Sequence, residues 1–218
     1  SIKCWGKNTY GQLGTGDTTD RGASTASGRR MGDDLPSVYL GAGRTAKAVS
    51  AGGSFTCALM DNSLVRCWGI NNYGQLGNGT QSAQLLATPS ELGDNASTIV
   101  DFGGKNAKSI HAGQMHACAI MTDGSAMCWG YNSDGQLGIG NTTTATNPTA
   151  VAFPSGSIVK SLEANTKNTC ATLDNSTDNV WCWGAGENSS SGYAPEDPPC
   201  SNYLTPCVRA IEFQGMIL

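Results

Sequence analysis

Eight of the nine cysteines fall into closely spaced pairs, and a thiol pair held at the right distance can do one thing well: oxidise to a disulfide. The pairs are Cys57 and Cys67, Cys118 and Cys128, Cys170 and Cys182, and Cys200 and Cys207. The first three are centred on Asn62, Asp123 and Ser176. Each centre lies in a short polar tripeptide, Asp61-Asn62-Ser63, Thr122-Asp123-Gly124 or Asn175-Ser176-Thr177, of the kind that closes a β-hairpin. Residues symmetric about a hairpin turn face each other across two antiparallel strands. In a non-hydrogen-bonded pair their Cα atoms lie about 4.5 Å apart, within disulfide range. Disulfides Cys57–Cys67, Cys118–Cys128 and Cys170–Cys182 are therefore expected, with Cys200–Cys207 closing a separate loop and Cys4 unpaired in this chain. Buried thiols or metal ligands are the competing reading. Pairs that each span their own hairpin do not converge on a four-ligand centre. Disulfides persist in oxidising compartments, so the expected location is secreted or cell-surface.

Other chemistry is sparse. The two histidines are His111 and His116. His116 stands two residues before a cysteine, in a place held by Phe55 and Asn168 in the equivalent segments, and a slot that accepts all three types reads as packing. No HExxH or GxSxG motif and no clustered pair of carboxylates is present. Gly41-Ala42-Gly43-Arg44-Thr45-Ala46 fits a dinucleotide fingerprint formally, but no helical periodicity follows it to cradle a phosphate. No catalytic residue, cofactor or metal is expected. Acceptor motifs for N-glycosylation occur at Asn78, Asn95, Asn141, Asn175 and Asn188, which makes glycans possible as covalent modifications.

The elements that must position these residues are repeats. CWGKNTYGQLGTG begins at Cys4, CWGINNYGQLGNG at Cys67 and CWGYNSDGQLGIG at Cys128; a fourth copy starts at Cys182 as CWGAGENSSSGY and then departs. Before the later three lie AGGSFTCAL (51–59), AGQMHACAI (112–120) and ANTKNTCAT (164–172). Short apolar runs separated by Asp, Asn and Gly read as hairpins, and no stretch shows helical periodicity. Self-similarity at a period of roughly 40–60 residues points to a propeller, solenoid or array. The tryptophan in every copy is expected between neighbouring units. Gly69, Gly74, Gly77 and Gly79 are expected to supply positive φ or close approach, and Gln75 to satisfy backbone groups.

The ordered pattern AGxxHxxAL, a turn, then xWGxNxxGQLGxG resembles the repeat of the regulator of chromosome condensation family. The resemblance covers most of the chain between Cys4 and Gly186 and weakens in the last unit. It implies an all-β fold of β-propeller blades, each a four-stranded antiparallel sheet. The paired cysteines are not part of the family pattern and mark a variant. The units run approximately over 1–34 (partial), 35–97, 98–149, 150–207 and 208–218 (partial), with strands expected at 35–40 and at 208–213, the latter opening a further unit. At about 59 residues per unit, a seven-bladed ring needs roughly 410 residues, so the chain is expected to be an incomplete arc of a larger propeller.

Charge bounds the function. The net charge is −4 and the pI about 5.0, whereas a phosphate-binding surface is basic, so no nucleic acid is expected as a partner. The family's namesake works on chromatin; its nucleotide-exchange activity is expected to be absent here. No apolar run reaches the ~18 residues of a membrane span. The expected role is a non-enzymatic module for protein–protein interaction, or a structural subunit, in an extracellular assembly of other proteins or of copies of itself. The alternatives are a soluble inhibitor, as some bacterial members of the family inhibit β-lactamases, or a carbohydrate-binding module.

Overall fold

The computed structural model describes residues 1–23, 29–81, 84–85, 99–174, 180–185 and 209–210. The described residues form three antiparallel sheets of four strands, each a simple meander. The first sheet holds β1 (Ala46–Ala51), β2 (Phe55–Met60), β3 (Val65–Ile70) and β4 (Gln84–Leu85). The second holds β5 (Ala107–Ala112), β6 (His116–Met121), β7 (Ala126–Gly130) and β8 (Ala145–Ala150). The third holds β9 (Val159–Ala164), β10 (Asn168–Leu173), β11 (Val180–Gly184) and β12 (Arg209–Ala210). Successive sheets pack through their first strands, β1 against β5 and β5 against β9, with β2 on β5 and β6 on β9.

The second strand of each meander is the centre of the packing. All six residues of β2 and all six of β6 are buried. Alternate side chains of a strand point to opposite faces, so a strand buried on both faces must have a sheet on either side. Its residues divide accordingly. Cys57 and Leu59 pack with Ala117, Ala119 and Trp129 of the following sheet, while Ala58 and Met60 pack with Ile2, Val38 and Leu40 of the preceding segment. On β6, Ala117, Ala119 and Met121 face back and Cys118 and Ile120 face forward, toward Leu162, Leu173 and Trp183. The core is thus a series of apolar seams between sheets.

Two assignments differ from the sequence reading. Residues 35–40 form no regular strand: Ser37 makes one isolated bridge to Lys3, although Leu35, Val38 and Leu40 are buried. Pro36 lacks an N–H and Gly41 and Gly43 take positive φ, which together stop a ladder from propagating. Arg209 and Ala210 do not open a new unit. They pair with Cys182 and Trp181 as the outer strand of the third sheet. Ala145–Ala150 does the same for the second, so the resemblance of 208–213 to the residues around Ala150 is that of two outer strands.

The segment before β1 repeats half of this plan. Lys3 bridges Ser37 as Arg66 bridges Ile99, and Gly6 bridges Arg21 as Gly69 pairs with Leu85. After it, Gly41–Gly43 make a tight turn in which Arg44 N donates to Gly41 O, and a strand follows rather than a helix.

Candidate functional site: stapled hairpins and the turns they seat

The registers of the first two hairpins are set by their turns, in which Met60 N donates to Leu64 O and Met121 N to Ser125 O. With Asp61–Leu64 closing the first, Cys57 falls opposite Cys67; Cys118 falls opposite Cys128 and Cys170 opposite Cys182. The Cα separations are 4.0, 4.1 and 4.1 Å, those of non-hydrogen-bonded pairs, and all three pairs are joined by disulfides. The first two are fully buried. Cys200 and Cys207 lie outside the described residues. Cys4 is a half-buried free thiol whose pKa is raised by desolvation.

The residue after each cysteine points the other way. Trp68, Trp129 and Trp183 are buried between units, at 0%, 0% and 1% exposure. Their indole N–H groups donate to the backbone carbonyls of Gln12, Gln75 and Gln136, each at 3.0 Å, in the glycine turn of the preceding unit. The turn is shaped for this. A Cβ on Gly14, Gly77 or Gly138 would lie 2.6–2.7 Å from the indole nitrogen, and all three glycines have positive φ. Gln75 satisfies a backbone group as expected: its Oε1 accepts from Tyr73 N at 2.9 Å. A tryptophan so enclosed offers no face to a sugar.

Three features of this seam were not legible beforehand. Asn8, Asn71 and Asn132 are fully buried organisers of the turn. Each accepts from the leucine N–H five residues on, and each donates Nδ2 to carbonyls of the following loop. Their invariance in WGxN was the signal. Thr56 and Thr169 donate Oγ1–H to the Gln12 and Gln136 carbonyls at 2.8 Å, doubling the tryptophan bond, whereas the middle seam has Ala117 in that place. Third, Arg21 is buried and ion-paired to Asp17 at 2.8 Å, so the start of the polar connection 17–34 folds under Asn8; Arg30 further on is exposed and pairs with Asp34.

His116 lies in the third seam, that of Trp183, fully buried, with Nε2 2.9 Å from Thr169 Oγ1. Since that hydroxyl gives its one hydrogen to Gln136 O, Nε2 must be the protonated nitrogen, and Nδ1 is left without a partner. Burial lowers its pKa to about 4, so the ring is neutral and structural. His111 is half-buried, bonded to Ser109, and its pKa is also lowered by burial, partly offset by Glu163. Among the described residues no cluster of three His, Cys, Asp or Glu side chains is placed to hold an ion.

The surface this framework presents has two parts. At the end of the inner strands an open cavity of about 320 Å³ is bordered by Gly52, Gly53, Gly113, Gln114, Asn165 and Thr166. Its wall is backbone: Gly53 N donates to Gln114 O and Gln114 N to Asn165 O, linking the three units. The glycine turns leave from the same end of the strands, since Ile70 N and Tyr131 N at their starts donate to Ser54 O and Met115 O, with Tyr10 and Tyr73 exposed and Tyr73 edge-on to Tyr131 at 4.8 Å. Asn78 and Asn141 sit just beyond equivalent turns, half-buried and exposed respectively; Asn78 Oδ1 accepts from Thr80 Oγ1 at 2.9 Å and Asn141 Oδ1 from Thr143 N at 2.8 Å. Asn95, Asn175 and Asn188 lie outside the described residues.

Comparison with known proteins matches this geometry. The family model described as regulator of chromosome condensation (RCC1) repeat matches residues 4–59, 65–120 and 123–171. The chain is similar to the ultraviolet-B receptor UVR8 of Arabidopsis thaliana, 29% identical over 188 residues, which are 86% of this chain and 38% of the receptor. It is similar to the probable E3 ubiquitin-protein ligase HERC4 of Homo sapiens, 29% identical over 191 residues, 88% of this chain and 16% of the ligase. Among solved structures it resembles yeast RCC1 (Prp20) bound to Kap60, with a TM-score of 0.68 at 20% identity, covering 96% of this chain and 44% of that one. It also resembles human WBSCR16, with a TM-score of 0.69 at 18% identity, covering 98% and 48%. The chain therefore spans less than half the length of each of these relatives.

Proposed function

Because the chain belongs to the regulator of chromosome condensation (RCC1) repeat family and its sheets are β-propeller blades, we propose that it is a secreted or cell-surface, non-enzymatic binding module whose partners are proteins. The observation that carries this reading is the set of three disulfides across the hairpins, two of them fully buried. Covalent bonds in this number suit an oxidising compartment. They fix the hairpins that support the exposed turns, so the turns present a rigid surface, and rigidity lowers the ordering cost of binding. Yeast Prp20, a structural neighbour, has been solved with the protein Kap60, and Prp20 has binding properties toward Gsp1p and histones. Protein partners are thus the natural class for this scaffold. The acidic balance of the chain turns it away from nucleic acid. Asn78 and Asn141, on equivalent turn ends, are the described positions where glycans would sit in a eukaryotic secretory route.

The test uses native material. Thiols are alkylated in the living source before lysis, the protein is cross-linked to its neighbours, and both are read by mass spectrometry. Protected cysteines at 57, 67, 118, 128, 170 and 182, together with cross-links to protein, are expected. Alkylation of these cysteines in situ would remove the extracellular reading, and recovery with polysaccharide alone would remove the protein-binding one.

A further inference from the structure

Asn78–Gly79 is the one Asn-Gly step in the chain, and it follows the glycine turn at 74–77. An asparagine before glycine can modify itself. The main-chain nitrogen of the next residue attacks the side-chain carbonyl carbon, and glycine, lacking Cβ, leaves room for the five-membered ring. The surroundings of Asn78 favour one half of that reaction and withhold the other.

The carbonyl is activated. Asn78 Oδ1 accepts from Thr80 Oγ1 at 2.9 Å, from Thr80 N at 3.3 Å and from Asn71 Nδ2 at 3.3 Å. Donors already gathered on an oxygen stabilise the negative charge it gains when its carbon is attacked. The nucleophile is held back. Gly79 N donates to Thr146 O at 3.1 Å, across the seam to β8 of the second sheet. The nitrogen must shed its proton to attack, and a carbonyl cannot take it. Gly79 and Thr80 are exposed, so solvent base reaches the nitrogen once that bond opens.

We propose that Asn78 is a site of spontaneous deamidation gated by the seam between the first two sheets. It stays asparagine while Gly79 is bonded to Thr146 and becomes a carboxylate when β8 lets go. In the first step Gly79 N gives its proton to solvent base, the bond from that nitrogen to Cγ forms, and the bond from Cγ to Nδ2 breaks. Nδ2 leaves as ammonia, taking up a proton from solvent in place of the one Gly79 lost. Water then opens the cyclic imide at either carbonyl, giving aspartate or isoaspartate, with no oxidant or reductant. The aspartate has a place ready. In the first unit the Asp17 carboxylate accepts from Asn8 Nδ2 at 3.2 Å and Thr19 N at 2.9 Å, the donors that Asn71 and Thr80 supply here. Conversion adds a negative charge at the end of the turn and removes the glycan acceptor at 78, leaving that at Asn141. None of this depends on which partner the exposed turns bind.

The test uses the full chain made without glycans and incubated in mildly alkaline buffer, with the change from amide to acid read by peptide mapping. Gly74→Ala puts a methyl group 2.8 Å from Thr146 Cα at a φ of +73°, whereas Gly135→Ala, the equivalent change one unit on, has a φ of +76° and nothing within 4 Å. Conversion at Asn78 should be severalfold slower in the native chain than in the urea-unfolded one, and severalfold faster in Gly74→Ala than in Gly135→Ala. Asn132–Ser133, whose asparagine is fully buried, reports unfolding and should stay unconverted in both folded variants. Thr80→Val, added to Gly74→Ala, should slow conversion again. Equal rates in the two folded variants, or acceleration of Asn132 in step with Asn78 in a folded chain, overturn the gate. An unchanged rate on Thr80→Val overturns the activation. Should tryptophan emission show Gly74→Ala unfolded, the native chain decides alone: conversion as fast as in the unfolded chain overturns the proposal, and conversion severalfold slower supports it.

Discussion

The indole N–H of Trp129 donates to the carbonyl of Gln75 at 3.0 Å, across a gap of 54 residues. That one bond ties the last residues of one hairpin to the glycine turn of the unit before it, and it recurs in the other two closed seams. Removing the room it needs should loosen the whole arc. Gly77→Ala places a methyl group 2.7 Å from the Trp129 nitrogen at a φ of +68°. Gly135→Ala has a similar φ of +76° but nothing within 4 Å. The left-handed conformation alone costs about 1–2 kcal/mol, and overpacking adds about 1–3 kcal/mol more. Urea denaturation should therefore show Gly77→Ala well below Gly135→Ala in stability; equal losses would mean that the close contact carries no weight.

The middle seam lacks a bond that its neighbours have. Thr56 and Thr169 each donate to the carbonyl that accepts the tryptophan, and Ala117 cannot. Ala117→Thr should add that bond and a β-branched side chain in a central strand, a gain of about 0.5–1.5 kcal/mol. A raised denaturation midpoint with an unchanged slope is the expected result. The reverse change, Thr169→Val, strands both the Gln136 carbonyl and His116 Nε2 of a hydroxyl partner and should cost about 1–3 kcal/mol.

His116 sets an acid limit on stability. Its folded pKa, about 4, lies below the ordinary histidine value near 6.5, so the unfolded chain binds the proton first as pH falls. The contribution is fully present above pH 6.5 and is lost between 6.5 and 4, on the order of 3 kcal/mol in all. His111 acts in the same direction. Asp123, held down to about 2 by Ser125 and Lys105, titrates below this window. His116→Asn, the residue type at the equivalent Asn168, should flatten most of the slope between pH 6.5 and 4 in equilibrium unfolding. An unaltered slope would place the proton uptake elsewhere.

The staples should be both stabilising and shielded. Each closes a loop of 10 or 12 residues, for which removal costs about 2–3 kcal/mol. Cys118→Ala with Cys128→Ala should lower stability by that amount. In the native protein, Cys57–Cys67 and Cys118–Cys128 should resist dithiothreitol until denaturant is added, because their sulfurs are out of reach of solvent. Rapid reduction under native conditions would contradict the buried placement.

Hairpins and staples were legible because both are local: a turn of two or three polar residues fixes the register of the residues around it. The tryptophan slot was legible from its repetition, and so was the positive φ of Gly74 and Gly77. What the repeat could not show is which neighbour each side chain meets. Thr56, Ala117 and Thr169 vary in one slot whose meaning lies in a carbonyl 33 to 44 residues away. His116 takes its tautomer from Thr169 in the next unit. Residues 35–40 carry the apolar pattern of a strand because they are buried, but Pro36 and the following glycines keep them from pairing as one. The strand at 209–210 reads from sequence as the opening of a further unit, yet it closes the third sheet, because after a long connection sequence proximity no longer tells which sheet a strand joins.

The acceptor in every seam is a main-chain atom, and this separates inheritance of the fold from inheritance of its surface. Thr9-Tyr10, Asn72-Tyr73 and Ser133-Asp134 occupy the same two places on the outside of the turn. They differ in charge, size and aromaticity while the carbonyl beneath them keeps one role. A lineage of such proteins is able to rewrite its exposed surface at those places by point mutation, one turn at a time, while the packing beneath holds.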